Sequence, residues 1–156
     1  MIAAAVVWLL QDLSQALAMG IMLVPEFFLL MLVYGIVSSP IRQERISLWI
    51  WFAFAGGILW DFRWAASPGM SSLINVGTVI AVYALWNRTP LAGRGAFLLA
   101  VIGGAAHFIS GMIHYLAWAT PSHAAVRMFI IQQLLGVPAL ALMCLIYAFR
   151  KTNVHV

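Results

Sequence analysis

The chain has 156 residues, of which 65% are hydrophobic and 8% charged, with a mean hydropathy of +1.03 and a formal net charge of +4. A soluble domain carries roughly 25% charged residues, so this composition excludes a water-soluble fold, which has no means of covering so much apolar surface. The eight basic residues are dispersed at the ends of apolar runs, which excludes a nucleic-acid-binding face, and a single cysteine, Cys144, allows no disulfide within the chain.

A membrane-crossing helix needs about 20 apolar residues, so the length gives room for five or six crossings joined by short loops in one domain over residues 1–156. Apolar stretches fall at about 2–18, 22–38, 46–62, 71–87, 95–118 and 127–149. The predicted architecture is therefore an all-α bundle of about six transmembrane helices, and a β-barrel is excluded because apolar and polar residues do not alternate.

The first stretch opens apolar, with no basic region and no small-residue cleavage site, and reads as a membrane segment rather than a removable leader. Gln11, Asp12 and Gln15 interrupt it; Asp12 could bind a proton or a cation, but structural hydrogen bonding toward a loop or another helix is its expected use. In the second stretch Pro25 and Glu26 suit a first helical turn, where proline lacks only an N–H that would be unpaired anyway and the dipole favours a carboxylate. Residues 2–38 read as two crossings, with a single crossing as the alternative.

The third stretch contains Gly56 and Gly57 and ends at Asp61, with Arg63 as its expected partner; the fourth carries Asn75. On the fifth, His107 and His114 are seven apart and share a helix face, with Ser110 and Gly111 between them. Two histidines do not complete a zinc site, so no metal is expected. The expectation is that both bond across a helix interface that Ala96, Ala100, Gly103 and Gly104 allow to pack closely. The sixth stretch holds Gln132, Gln133 and Pro138.

Orientation follows from the basic residues, because loops rich in Lys and Arg stay cytoplasmic. Arg42, Arg45, Arg88, Arg94, Arg150 and Lys151 fall at one set of segment ends and only Arg63 and Arg127 at the other, which predicts a cytoplasmic C-terminus. Tryptophan favours the interface: Trp49, Trp51 and Trp86 fall at predicted inner ends, and Trp60, Trp64 and Trp118 at predicted outer ends. No GxSxG, HExxH, Walker-type loop or CxxC is present. Ser67, Ser71 and Ser72 have no His or Lys at motif spacing, which leaves only partners distant in sequence. The reading is a non-enzyme without a cofactor.

The run FAGGILWDFRWAASPGMSSLINVGTVIAVY resembles the central signature of the rod shape-determining MreD family: paired glycines before an acid (Gly56, Gly57, Asp61), a loop with Pro68 and Gly69, and an apolar helix closing at Tyr83. PEFFLLMLVYGIV is similar to that family's proline-acid step (Pro25, Glu26), with Glu where the family often has Asp, leading into a helix with Tyr34. The likeness covers about residues 11–87, and the remainder agrees in hydropathy. It implies a multi-pass scaffold in the bacterial inner membrane that acts in cell shape and peptidoglycan synthesis. The implied partners are the bitopic protein MreC and, through it, the actin-like filament protein, glycosyltransferase and transpeptidase of the elongation machinery. Pro25, Glu26, Gly56, Gly57, Asp61, Gly69, Gly103, Gly104, His107 and His114 are the expected partner-binding or helix-packing residues. The family also resembles the substrate-binding subunits of energy-coupling-factor vitamin transporters, which supplies an alternative: a ligand held near the outer face by Trp60, Asp61, Trp64 or Asn75.

Overall fold

A computed structural model describes residues 2–18, 23–38, 43–64, 68–118 and 122–152. Among these the chain is all-helical, with six α-helices: α1 (Ile2–Leu17), α2 (Phe27–Ser38), α3 (Gln43–Trp64), α4 (Met70–Arg88), α5 (Ala96–Trp118) and α6 (His123–Thr152). A single 3-10 turn at Leu91–Gly93 joins α4 to α5. Met70–Arg88, Ala96–Ala117 and His123–Arg150 are long and apolar enough to cross a membrane, while α1 and α2 are shorter apolar helices.

The short second helix is the hub. It packs against α1, α3, α4, α5 and α6, whereas α3 pairs chiefly with α4 and α5 with α6. Its sequence, FFLLMLVYGIVS, is apolar on every side, the pattern of a helix surrounded by others. Phe28, Leu29, Leu30, Leu32, Val33, Ile36 and Val37 are all buried, and Ala53, Val79, Val82, Leu99 and Met143 close around them. Twelve residues rise only about 18 Å, well short of a bilayer core of about 30 Å. The non-helical segment 23–26 leads into it.

The outward faces are apolar. Phe97 is 84% exposed, and Phe62, Leu73, Leu116 and Phe149 are exposed as well. A soluble monomer rarely presents contiguous patches of such side chains, whereas lipid accepts them without cost.

Glycines set three helix contacts differently. A Cβ at Gly57 would strike the backbone of Ser72, so α3 and α4 touch main chain to main chain there. A Cβ at Gly56 would enter the Phe28 ring, and one at Gly103 would meet Leu140 and Met143 side chains. Gly104, expected to be an equally tight position, has only Leu140 Cδ2 at 3.4 Å, which is ordinary contact. The physical reason is rotation: α5 turns Gly103 into the bundle and leaves Gly104 at its edge.

The helices overlap the apolar stretches, and their ends differ from them most at the second, third and sixth. The second helix begins at Phe27 rather than near residue 22, because Leu23–Glu26 are not helical, and Pro25 disfavours helix at the residue before it. The sixth begins at His123, four residues before its apolar run, since helical backbone continues beyond the hydrocarbon-like stretch.

Candidate functional site

The polar side chains of the bundle converge at one end, where the C-terminal ends of α1, α3 and α5 meet the N-terminal ends of α2, α4 and α6. The organising feature is the buried, non-helical segment Leu23–Glu26, whose Val24, Pro25 and Glu26 are all buried. Backbone groups that leave a helix in an apolar medium need partners, and glutamines from other elements supply them. Gln15 Oε1 accepts from Val24 N at 3.1 Å, Gln11 Oε1 accepts from Phe28 N at 2.7 Å, and Gln132 Nε2 donates to Val24 O at 3.3 Å. The carbonyl of Glu26 accepts from Leu30 N as the first helical bond. Gln11 thus caps α2 from α1, while the Glu26 side chain is released for another task.

That task is a cluster joining three elements, the lead-in to α2, α4 and α5. Glu26 Oε2 accepts a short hydrogen bond from Ser110 Oγ, and Glu26 Oε1 lies 2.8 Å from His114 Nδ1. The opposite ring nitrogen, His114 Nε2, is 3.1 Å from Ser71 Oγ. A carboxylate facing Nδ1 orders the ring with that nitrogen protonated, so Nε2 accepts from the Ser71 hydroxyl. Ser71, Ser110 and Glu26 are buried, and His114 is largely so.

Asp61 has a separate role. It is completely buried and accepts from Gly69 N at 2.8 Å and from Ser71 N at 3.0 Å, so it caps the first turn of α4 from the end of α3. Gly69 adopts φ 97°, the left-handed conformation glycine tolerates best, and this aims its N–H back at the carboxylate. Ser72 Oγ, donating to Phe54 O at 2.9 Å, completes the hairpin. Arg63, expected beside Asp61, instead pairs with Asp12 at 3.0 Å, and Trp64 Nε1 donates to the other Asp12 oxygen at 2.7 Å. The reason is helical phase: Asp61 turns toward α4, while Arg63 turns outward and reaches α1.

The two histidines also part. His114 bonds across to α2 and α4, as expected of it, whereas both ring nitrogens of buried His107 lack hydrogen-bond partners among the described residues. Its ring packs on Gly136 of α6, where a Cβ would overlap it. No group of three or more potential metal ligands occurs among the described residues.

Between these elements lies a cleft of about 320 Å³. It is lined by Trp8, Trp60 and Tyr115 and by the polar residues Glu26, Ser71 and Asn75, among others. Of the sequence-derived residues, Glu26, Gly56 and His114 line the cleft, Asp61 and Gly57 build the hairpin beside it, and Gly103, Gly104 and His107 lie elsewhere, on the α5–α6 side. Sequence reasoning passed over the pairing of Ser71 with His114 because 43 residues separate them. The available signal was depth: in an up-and-down bundle, Glu26, Ser71, Ser110 and His114 all fall at matching ends of their segments.

Fold and site together define an all-helical protein with helices suited to a membrane, pinned at one end by buried polar side chains around a broken helix. No family model, curated protein or solved structure matches the chain.

Proposed function

We propose that this chain is a six-crossing protein of the bacterial inner membrane, with its C-terminus cytoplasmic, that works as a scaffold of the cell-elongation machinery in the manner of the MreD family. The observation that carries the reading is that the residues of the resemblance make one connected structural unit. Gly57 brings the α3 and α4 backbones together, Asp61 at the end of α3 binds Gly69 at the start of α4, and Glu26 ties α2 to α5. A signature spent on internal geometry fits a protein that presents apolar outer faces to lipid and to a partner's single helix, with MreC as the partner implied. Purifying the tagged chain from native membranes and identifying what accompanies it tests the proposal. An MreC-like bitopic protein is expected; elongation proteins missing from a well-folded preparation would overturn it.

The cleft favours a second reading, a ligand-binding subunit of a transporter. Its aromatic walls and few converging polar groups have the general make-up of a small-molecule site. A vitamin-sized molecule recovered from the purified protein would decide for it.

A further inference from the structure

The cluster at the cleft has the parts of an acyl-transfer site, and the geometry points to Ser71 as a nucleophile served by His114 and Glu26, acting on a small ester or thioester with an apolar acyl group. Each link is within hydrogen-bond reach: Ser71 Oγ to His114 Nε2 at 3.1 Å and His114 Nδ1 to Glu26 Oε1 at 2.8 Å. This is the nucleophile, base and orienting carboxylate arrangement that is recognised by geometry rather than by sequence order. Ser110, donating to the second carboxylate oxygen, fixes Glu26 and is a positioning residue.

Two further observations separate this cluster from an ordinary interhelical bond network. First, Glu26, Ser71 and His114 all line the same cleft, so the hydroxyl and the imidazole face a space that a substrate can occupy. Second, Asn75 lies one turn beyond Ser71 on the same face of α4, lines that cleft, is only 8% exposed, and makes no hydrogen bond among the described residues. Its side-chain amide carries two N–H donors, which can serve a negatively charged oxygen in the cleft. The backbone amide of Ser71 is already taken by Asp61, and Asn75, one turn along the same helix face, is the donor we assign to the oxyanion.

The step balances with water as the only co-reactant. Ser71 Oγ attacks the carbonyl carbon while its proton passes to His114 Nε2, and the carbonyl π pair moves onto oxygen beside Asn75. Collapse breaks the bond to the alcohol or thiol, which leaves with the proton from His114. Water then attacks the acyl-Ser71 ester, His114 takes its proton and returns it to Ser71 Oγ, and the carboxylic acid departs. The cleft of about 320 Å³ is at the small end of ligand sites and suits a short acyl chain against the Trp8 and Trp60 rings.

The test treats the detergent-purified full chain with a fluorophosphonate probe, which phosphonylates activated serines with loss of fluoride, and locates the adduct by peptide mass. The expected result is an adduct on Ser71 in the unsubstituted protein, lost in Ser71→Ala, reduced at least tenfold in rate in His114→Ala, and slowed about 10²-fold in Asn75→Ala. An unsubstituted chain that runs as a single species and carries no adduct on Ser71 overturns the proposal without relying on any variant. So does an adduct that forms as fast in a His114→Ala protein of unchanged elution. Copurification of partner proteins does not depend on this chemistry, so the scaffold reading stands or falls separately.

Discussion

Gly57→Ala adds one methyl group where α3 meets the α4 main chain. The new Cβ would meet the Cα and N of Ser72 and the carbonyl carbon of Ser71, none of which can rotate aside, so α3 and α4 must separate. Overpacking of a core costs about 1–3 kcal/mol even where side chains can adjust. Separation also stretches the Ser72 bond to Phe54 O and the Asp61 bonds to Gly69 N and Ser71 N, each worth about 1 kcal/mol. Partial loss of all three, added to the overlap, puts the destabilisation at about 2–4 kcal/mol. For a chain of this length, roughly 2–4 °C per kcal/mol gives a fall in melting temperature of about 5–15 °C. Tryptophan fluorescence during heating in detergent reads it directly. Gly104→Ala is the control: its Cβ finds Leu140 Cδ2 at an ordinary 3.4 Å, and alanine within a helix gains about 0.5–1 kcal/mol over glycine. An unchanged melting temperature for Gly57→Ala, or an equal loss for Gly104→Ala, would refute main-chain contact at Gly57.

Other expectations follow from the same geometry. Asp61→Ala leaves two amide donors at the start of α4 without their acceptor and should cost about 2–4 kcal/mol in the same melt, while Asp61→Asn, which keeps one acceptor oxygen, should cost about half as much. Gly69→Ala has open space around the added methyl, so the cost is the left-handed backbone alone, about 1–2 kcal/mol. Gln11→Leu removes the acceptor for Phe28 N in buried surroundings and should destabilise by about 1–3 kcal/mol, more than the same change at exposed Asn87. A cysteine placed at Leu91 in a Cys144→Ser background should resist impermeant thiol reagents applied to intact cells; labelling from outside would invert the proposed orientation.

The comparison of Asp61 with Arg63 shows where sequence reading ends. Composition and apolar run length were enough to predict an all-α chain with helices apolar enough to cross a membrane, because these depend on local propensity and on solvent preference summed along the chain. Asp61 was recognised as the end of its helix on the same grounds. Its partner was not, since two residues of helix, about 200° of rotation, decide whether a side chain meets α4 or α1. Gly103 and Gly104 differ for the same reason: adjacent in sequence, they lie about 100° apart on α5, and only one turns into the bundle.

The cleft end depended still more on packing. That Gln11, Gln15, Glu26 and His114 are polar groups in apolar stretches was visible in the chain, and burial in an apolar medium requires that such groups be satisfied by one another. Which bonds to which is set by how far each helix slides along its neighbours, and that is fixed by the central α2 and its contacts with the five other helices. The sequence alone therefore determined the apolar character of this chain and its helical class, because both are sums over many residues. The meeting of Ser71, His114 and Glu26 was decided only by tertiary structure, because it turns on a few ångströms of relative helix position that no local pattern encodes.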